Sequence, residues 1–179
     1  MIRKTQNQTA SNSPSPYNGG ITIKSSKELQ YMELAGSIVG SALTLLKKSV
    51  EPGITTKELD TIAYKEITKL GAKPTFKGYR GFPASICASV NEEIVHGIPG
   101  KRVLKDGDII KMDVGATING FIGDAAVSVA VGTVSLDAKQ LMDATEESLK
   151  KGIDAAQPGN RIGDIGTAVQ TYGESLGYG

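Results

Sequence analysis

The stretch from Ile109 to Val131 constrains this chain most, because two alternating runs there flank Asn119-Gly120. An Asn-Gly pair between such runs is a strong short-range hairpin signal, since both central residues of a type I′ turn need positive φ. Pairing Ile118 with Phe121 fixes the register and puts Asp113 opposite Ala126 and Asp124 opposite Gly115. The two carboxylates then share a face as diagonal neighbours, roughly 7–8 Å apart at the backbone. Ile110, Met112, Val114, Ala116 and Ile118 join Phe121, Ala125, Val127 and Val129 on the opposite face, which is apolar and must be packed. Beside the aspartates lie only small or polar residues and Ile122. Like charges this close repel unless something compensates them. Water does so on an exposed face; a divalent cation does so in a metal site, where carboxylates commonly bridge two ions about 3.5–4 Å apart. The hairpin alone leaves both readings open.

A chain of 179 residues, 39% hydrophobic and 22% charged, can bury one sizeable core. The net charge of +1 gives no field that points to nucleic acid or an anionic membrane. Cys87 is the single cysteine, which excludes an internal disulfide framework and suits a reducing compartment. No apolar run is expected to approach the ~20 residues that span a bilayer, and the N-terminus has no apolar core of a secretory signal, so the cytoplasm is the expected location.

Residues 1–20 are polar and read as a disordered tail, with 21–179 as the folded domain. Ser25 and Glu28 have capping-box spacing, and Leu29, Met32, Ala35, Val39, Ala42 and Leu46 recur at helical intervals up to Val50. Pro52-Gly53 breaks the chain. Thr55 and Glu58 then offer a second box, and Leu59, Ile62, Ala63, Ile67 and Leu70 mark a second helix that stops at Gly71. From Ala72 to Pro99 loop and strand fit better than helix. Beyond the hairpin the pattern restarts, with helices over 136–156 and 162–176. At an offset of 106, Pro52-Gly53 falls on Pro158-Gly159 and Leu70-Gly71 on Leu176-Gly177. This internal repeat predicts a symmetric fold of which the chain supplies one half and two helices of the other.

His96 is the single histidine, at a strand end in a turn shaped by Gly97 and Pro99, where active-site residues often sit. No phosphate-binding glycine loop is present, and metal-assisted chemistry is the best remaining option.

Ser89-Val90-Asn91-Glu92 through His96-Gly97-Ile98-Pro99, Leu104-Lys105-Asp106-Gly107-Asp108, Asp113-Val114 and Gly120-Phe121-Ile122-Gly123-Asp124 resemble type I methionine aminopeptidase. The likeness runs from about Ile21 to the last residue and includes Lys77-Gly78-Tyr79 and Gly81-Phe82-Pro83. It implies the α/β (α+β) pita-bread fold of the creatinase/aminopeptidase class, whose pseudo-symmetric halves enclose a dinuclear metal site. It also implies Asp113 as ligand of the first metal and Asp124 as a bridge to both, the ions being Co, Mn, Fe or Zn. His96 matches the residue that contacts the scissile amide. Phe76, Tyr79, Phe82 and Cys87 fall at positions lining the methionine pocket, which suits a thioether.

The family's remaining ligands, one histidine and two glutamates, match no residue before Gly179, so the expected site is incomplete and this chain alone is expected to be inactive. Ile122 departs from the histidine many relatives carry there. The activity implied is removal of the initiator methionine from nascent or newly made polypeptides, near the ribosome. A monomer is expected for the full-length form and self-association for this chain. The rival readings are a non-catalytic pita-bread binding module, against which the retained Asp113, Asp124 and His96 argue, and an X-prolyl pita-bread peptidase.

Overall fold

The Asn119-Gly120 turn forms as predicted, with φ of 51° and 81°. It joins β3 (Ile109–Ile118) to β4 (Phe121–Ala130), which pair with Ile118 opposite Phe121, Asp113 opposite Ala126 and Gly115 opposite Asp124. The computed structural model describes residues 22–179, so the polar tail expected over 1–20 lies outside the described residues. On its other side β3 pairs antiparallel with β2 (Ile86–Val90), where Cys87 faces Asp113, and then with the short β1 (Lys73–Pro74). Among the described residues β4 pairs with β3 alone and is the edge of the sheet.

Both predicted capping boxes are present. At α1 (Ser26–Ser49) the Ser25 N–H donates to Glu28 Oε2 at 2.7 Å, and at α2 (Thr56–Lys69) the Thr55 N–H donates to Glu58 Oε2 at 2.8 Å. These helices cover one face of the sheet. Ile38, Val39, Ala42 and Leu46 of α1 and Leu59, Ala63 and Ile67 of α2 bury Ile86, Ala88, Ile110, Met112, Val114 and Ala116. By length and composition α1 is apolar enough to cross a bilayer, contrary to the expectation above; Ala35, Ile38, Val39, Ala42 and Leu46 pack in the core, while Leu34 and Leu45 are exposed.

Three other expectations need correction. The buried stripe of α1 begins at Ala35, and Leu29 and Met32 are exposed, because the first turns meet the hairpin tip through Tyr31, whose ring centroid lies 5.7 Å from that of Phe121. Leu70 of the second stripe is also exposed, since it is the C-cap of α2 and not part of its face. Ala125 is exposed and Val127 and Val129 are half-buried. There α1 crosses β4 at Gly123, where an added Cβ would stand 2.5 Å from the Ala35 carbonyl oxygen, and it leaves the rest of the edge strand partly open.

The repeat is visible in the backbone. The offset of 106 carries Gly53 (φ 101°) onto Gly159 (φ 93°) and Gly71 (φ 81°) onto Gly177 (φ 83°). It also carries α2 residue for residue onto α4 (Ile162–Ser175), whose Arg161 N–H donates to Asp164 Oδ2 at 2.7 Å in place of the Thr55–Glu58 pair. The helix α3 (Leu136–Ala155) packs on α4 where a Cβ on Gly152 would lie 2.9 Å from Val169 Cγ2. Leu149, Ile153 and Ile162 remain exposed.

Candidate active site

The hydrogen-bonded ladder sets the floor of a cleft on the sheet face away from α1 and α2. Cys87 on β2 and Asp113 on β3 are directly paired, and Asp124 on β4 lies one diagonal step further. Gly115, opposite Asp124, has no room for a side chain, since a Cβ there would stand 2.7 Å from Phe76 Cε1. Phe76 therefore lies directly on the sheet beside the acids. Thr75 holds it there, donating its N–H to the Gly115 carbonyl at 2.9 Å and sharing a 2.8 Å hydroxyl bond with Thr117.

One wall is the tight turn after Phe76. Gly78 (φ 87°), Arg80 (φ 49°) and Gly81 (φ 85°) all take positive φ, and the turn closes through Gly78 N–H to the Phe82 carbonyl at 2.8 Å. This backbone puts Tyr79 and Arg80 on the rim as exposed side chains and leaves Phe82 half-buried inside. The other wall is the turn that carries His96. Its φ is 61°, in the left-handed region where a non-glycine residue stores strain. Gly97 makes the approach feasible, because a Cβ there would sit 2.4 Å from the Ala88 carbonyl oxygen. Its N–H donates to Ser89 Oγ at 3.0 Å and its carbonyl accepts from the Ala88 N–H at 2.8 Å. The start of the same turn is held by Asn91, which donates to Asp108 at 2.9 Å and accepts from the Ile109 N–H.

All seven residues singled out in the sequence, Phe76, Tyr79, Phe82, Cys87, His96, Asp113 and Asp124, line one cleft of about 660 Å³. Arg80 and Ile98 line it too, and sequence reading missed both. The signal for Arg80 was present in Gly78 and Gly81, which bracket it at turn spacing. Ile122 lies beside this cleft on the same face of β4, exposed, opposite Thr117.

The electrostatics suit a bound cation. Burial raises the pKa of Asp113, the neighbouring charge of Asp124 raises it further, and His96 opposes the shift. The Cys87 thiol is pushed up to about 11 by burial and by both aspartates, so it stays protonated and offers a soft wall and no nucleophile. The donor set therefore fits a divalent ion through two oxygen ligands whose mutual repulsion the ion relieves. Among the described residues no group of three or more His, Cys, Asp or Glu side chains converges on one point.

A model of metallopeptidase family M24 matches residues 30–179. The chain belongs to metallopeptidase family M24. Within M24 it is 56% identical over 155 residues to methionine aminopeptidase 1 of Bacillus subtilis, covering 87% of this chain and 62% of that one. It is 52% identical over 160 residues to methionine aminopeptidase of Clostridium acetobutylicum, covering 89% and 64%. The chain thus spans less than two thirds of the length of these relatives. The crystal structure of methionine aminopeptidase from Thermotoga maritima superposes with a TM-score of 0.86 at 43% identity, covering 88% of this chain and 64% of that one. Prolidase from Pyrococcus furiosus shares the fold at a TM-score of 0.77 and 19% identity, covering 88% and 45%. The M24 pita-bread fold expected from the sequence is the fold observed, with an antiparallel sheet backed by helices.

Proposed function

We propose that this chain forms the part of an M24 aminopeptidase that seats an N-terminal methionine and supplies two carboxylates to a divalent-metal site. The observation that carries the reading is that Asp113, Asp124, His96 and a pocket of Phe76, Tyr79, Phe82 and Cys87 line one cleft. The similarity to methionine aminopeptidases at 52–56% identity supports methionine as the residue removed, from nascent or newly made polypeptides in the cytoplasm.

Asp113 and Asp124 would hold the ions, Mn²⁺, Co²⁺, Fe²⁺ or Zn²⁺, and further ligands would come from outside the described residues. Such ions, when bound, polarise a carbonyl and lower the pKa of water towards neutrality. The chain's own groups do the rest. The protonated Cys87 and the aromatic rings offer a thioether soft, polarisable contacts. His96, fixed by the Gly97 anchor at the cleft wall, presents its imidazole to the peptide beside the scissile bond.

The test is an NMR titration of the Mg²⁺-loaded chain with Met-Ala-Ser amide and with Ala-Pro-Ser amide. Shifts at Phe82, Cys87 and His96 with the methionyl peptide alone support the reading. Equal response to the prolyl peptide overturns methionine as the substrate residue.

A further inference from the structure

We infer that Arg80 is a specificity determinant which selects peptides carrying a carboxylate downstream of the N-terminal residue, a proposal that rests on the peptide reading of the cleft. Arg80 lines the same cleft as the paired acids and is, among the described residues, the one fixed positive charge of its lining. The backbone holds it there at a cost: φ of 49° is left-handed, a conformation that a long side chain adopts only when its surroundings over-determine it. Gly78 and Gly81 supply the flanking positive-φ positions, and hydrogen bonds from Gly78, Gly81 and Phe82 lock the turn.

Among the described residues the guanidinium forms no ion pair, and its close neighbour is the Tyr79 ring, 5.5 Å from Cζ to centroid. Stacking of this kind orders the fork and leaves its N–H edges free to donate. The nearby Lys77 is directed elsewhere, with Nζ 4.3 Å from the Tyr64 centroid, so it does not share the task.

The charge pattern gives the cleft a polarity. Its floor is anionic through Asp113 and Asp124, and its rim is cationic through Arg80. A peptide with its amino terminus towards the floor runs outwards past the rim, where a planar fork pairs well with a carboxylate. That carboxylate is either an Asp or Glu side chain or the C-terminus of a short peptide. Both sources present the same chemistry.

The experiment measures Kd by NMR titration of the Mg²⁺-loaded chain with Met-Ala-Glu amide, Met-Ala-Gln amide, Met-Ala-Lys amide, Ala-Ala-Glu amide, and the free acid and the neutral amide of Met-Ala-Ala. Wild type should favour the Glu over the Gln peptide by about 2–5-fold, the range of an exposed ion pair, and the preference should fall as salt is added. Arg80→Asn keeps a residue that tolerates the left-handed backbone and should abolish the preference, while Arg80→Glu should turn it towards the Lys peptide. A gain for the free acid over the neutral amide assigns the C-terminal source, and a gain for Glu assigns the side-chain source. Equal affinity for all methionyl peptides, or a preference unchanged in Arg80→Asn, overturns the role of Arg80 and leaves the methionine reading standing. Preference for Glu regardless of the first residue retains Arg80 and overturns the methionine reading. Absence of any peptide binding overturns both.

Discussion

At the residue scale the decisive pair is Asp113 and Asp124, and their environment makes a metal-free cost measurable. Burial and the charge of Asp124 raise the folded pKa of Asp113 above its unfolded value. The ionised group therefore destabilises the metal-free fold at neutral pH, and that cost is relieved as pH falls through the raised folded value. Asp113→Asn should raise the Tm of the metal-free chain by about 1–3 °C at neutral pH, with the gain shrinking in acid. Differential scanning calorimetry at several pH values checks this; a lower Tm for the variant at neutral pH would contradict it. Gly115 belongs to the same scale. A Cβ there would stand 2.7 Å from Phe76, so Gly115→Ala should displace that ring and weaken peptide binding. The NMR titration described for methionyl peptides reads the loss.

At the element scale α1 and β4 cross in close contact at Gly123. Gly123→Ala would push a methyl to 2.5 Å from the Ala35 backbone carbonyl oxygen and should cost about 1–3 kcal/mol by urea unfolding. Thr55→Ala removes the acceptor for the Glu58 N–H, a cap whose loss should cost about 1 kcal/mol; the Thr55 hydroxyl, with its backbone N–H, also holds Glu58 below the usual carboxylate range. Because the Glu58 pKa is depressed, this box stabilises above the unfolded pKa and fades as pH falls through the folded one. The difference between wild type and Thr55→Ala should therefore narrow in acid without vanishing, since the bond from the Glu58 N–H to the Thr55 hydroxyl does not titrate.

Elements were legible wherever one local rule decided them. The Asn119-Gly120 turn set the register, and the capping boxes set two helix starts. What escaped was settled by tertiary context. β1 has two residues and exists because Lys73 and Pro74 continue the edge that β2 leaves free. The exposure of Leu29, Met32 and Ala125 depends on where α1 crosses the sheet, which helical periodicity does not state. Of the site, the aspartates and the aromatic positions were readable. Gly97's anchor and Arg80's rim position depend on contacts with Ala88 and on the folded turn.

At the scale of the whole molecule the repeat leaves an imbalance. α1 and α2 bury their stripe on the sheet, whereas α4 contributes no buried residue and α3 only Ala144 and Gly152. Leu136, Leu149, Ile153 and Ile162 are each more than half exposed. Such a surface promotes association. Light scattering should show concentration-dependent oligomers that bind a hydrophobic dye, and Leu149→Lys with Ile153→Lys should reduce both; a dye-silent monomer at all concentrations would contradict this.

On the proposed function, Asp113 and Asp124 act together in holding divalent metal in a peptide cleft. Calorimetric titration of Mn²⁺ into the 179-residue chain and into the Asp113→Ala/Asp124→Ala double variant tests it most directly, with methionyl-peptide hydrolysis assayed on the same samples. Weak binding that the double variant abolishes, without turnover, is the predicted result. Identical binding by both proteins, or turnover that survives loss of both aspartates, would contradict it.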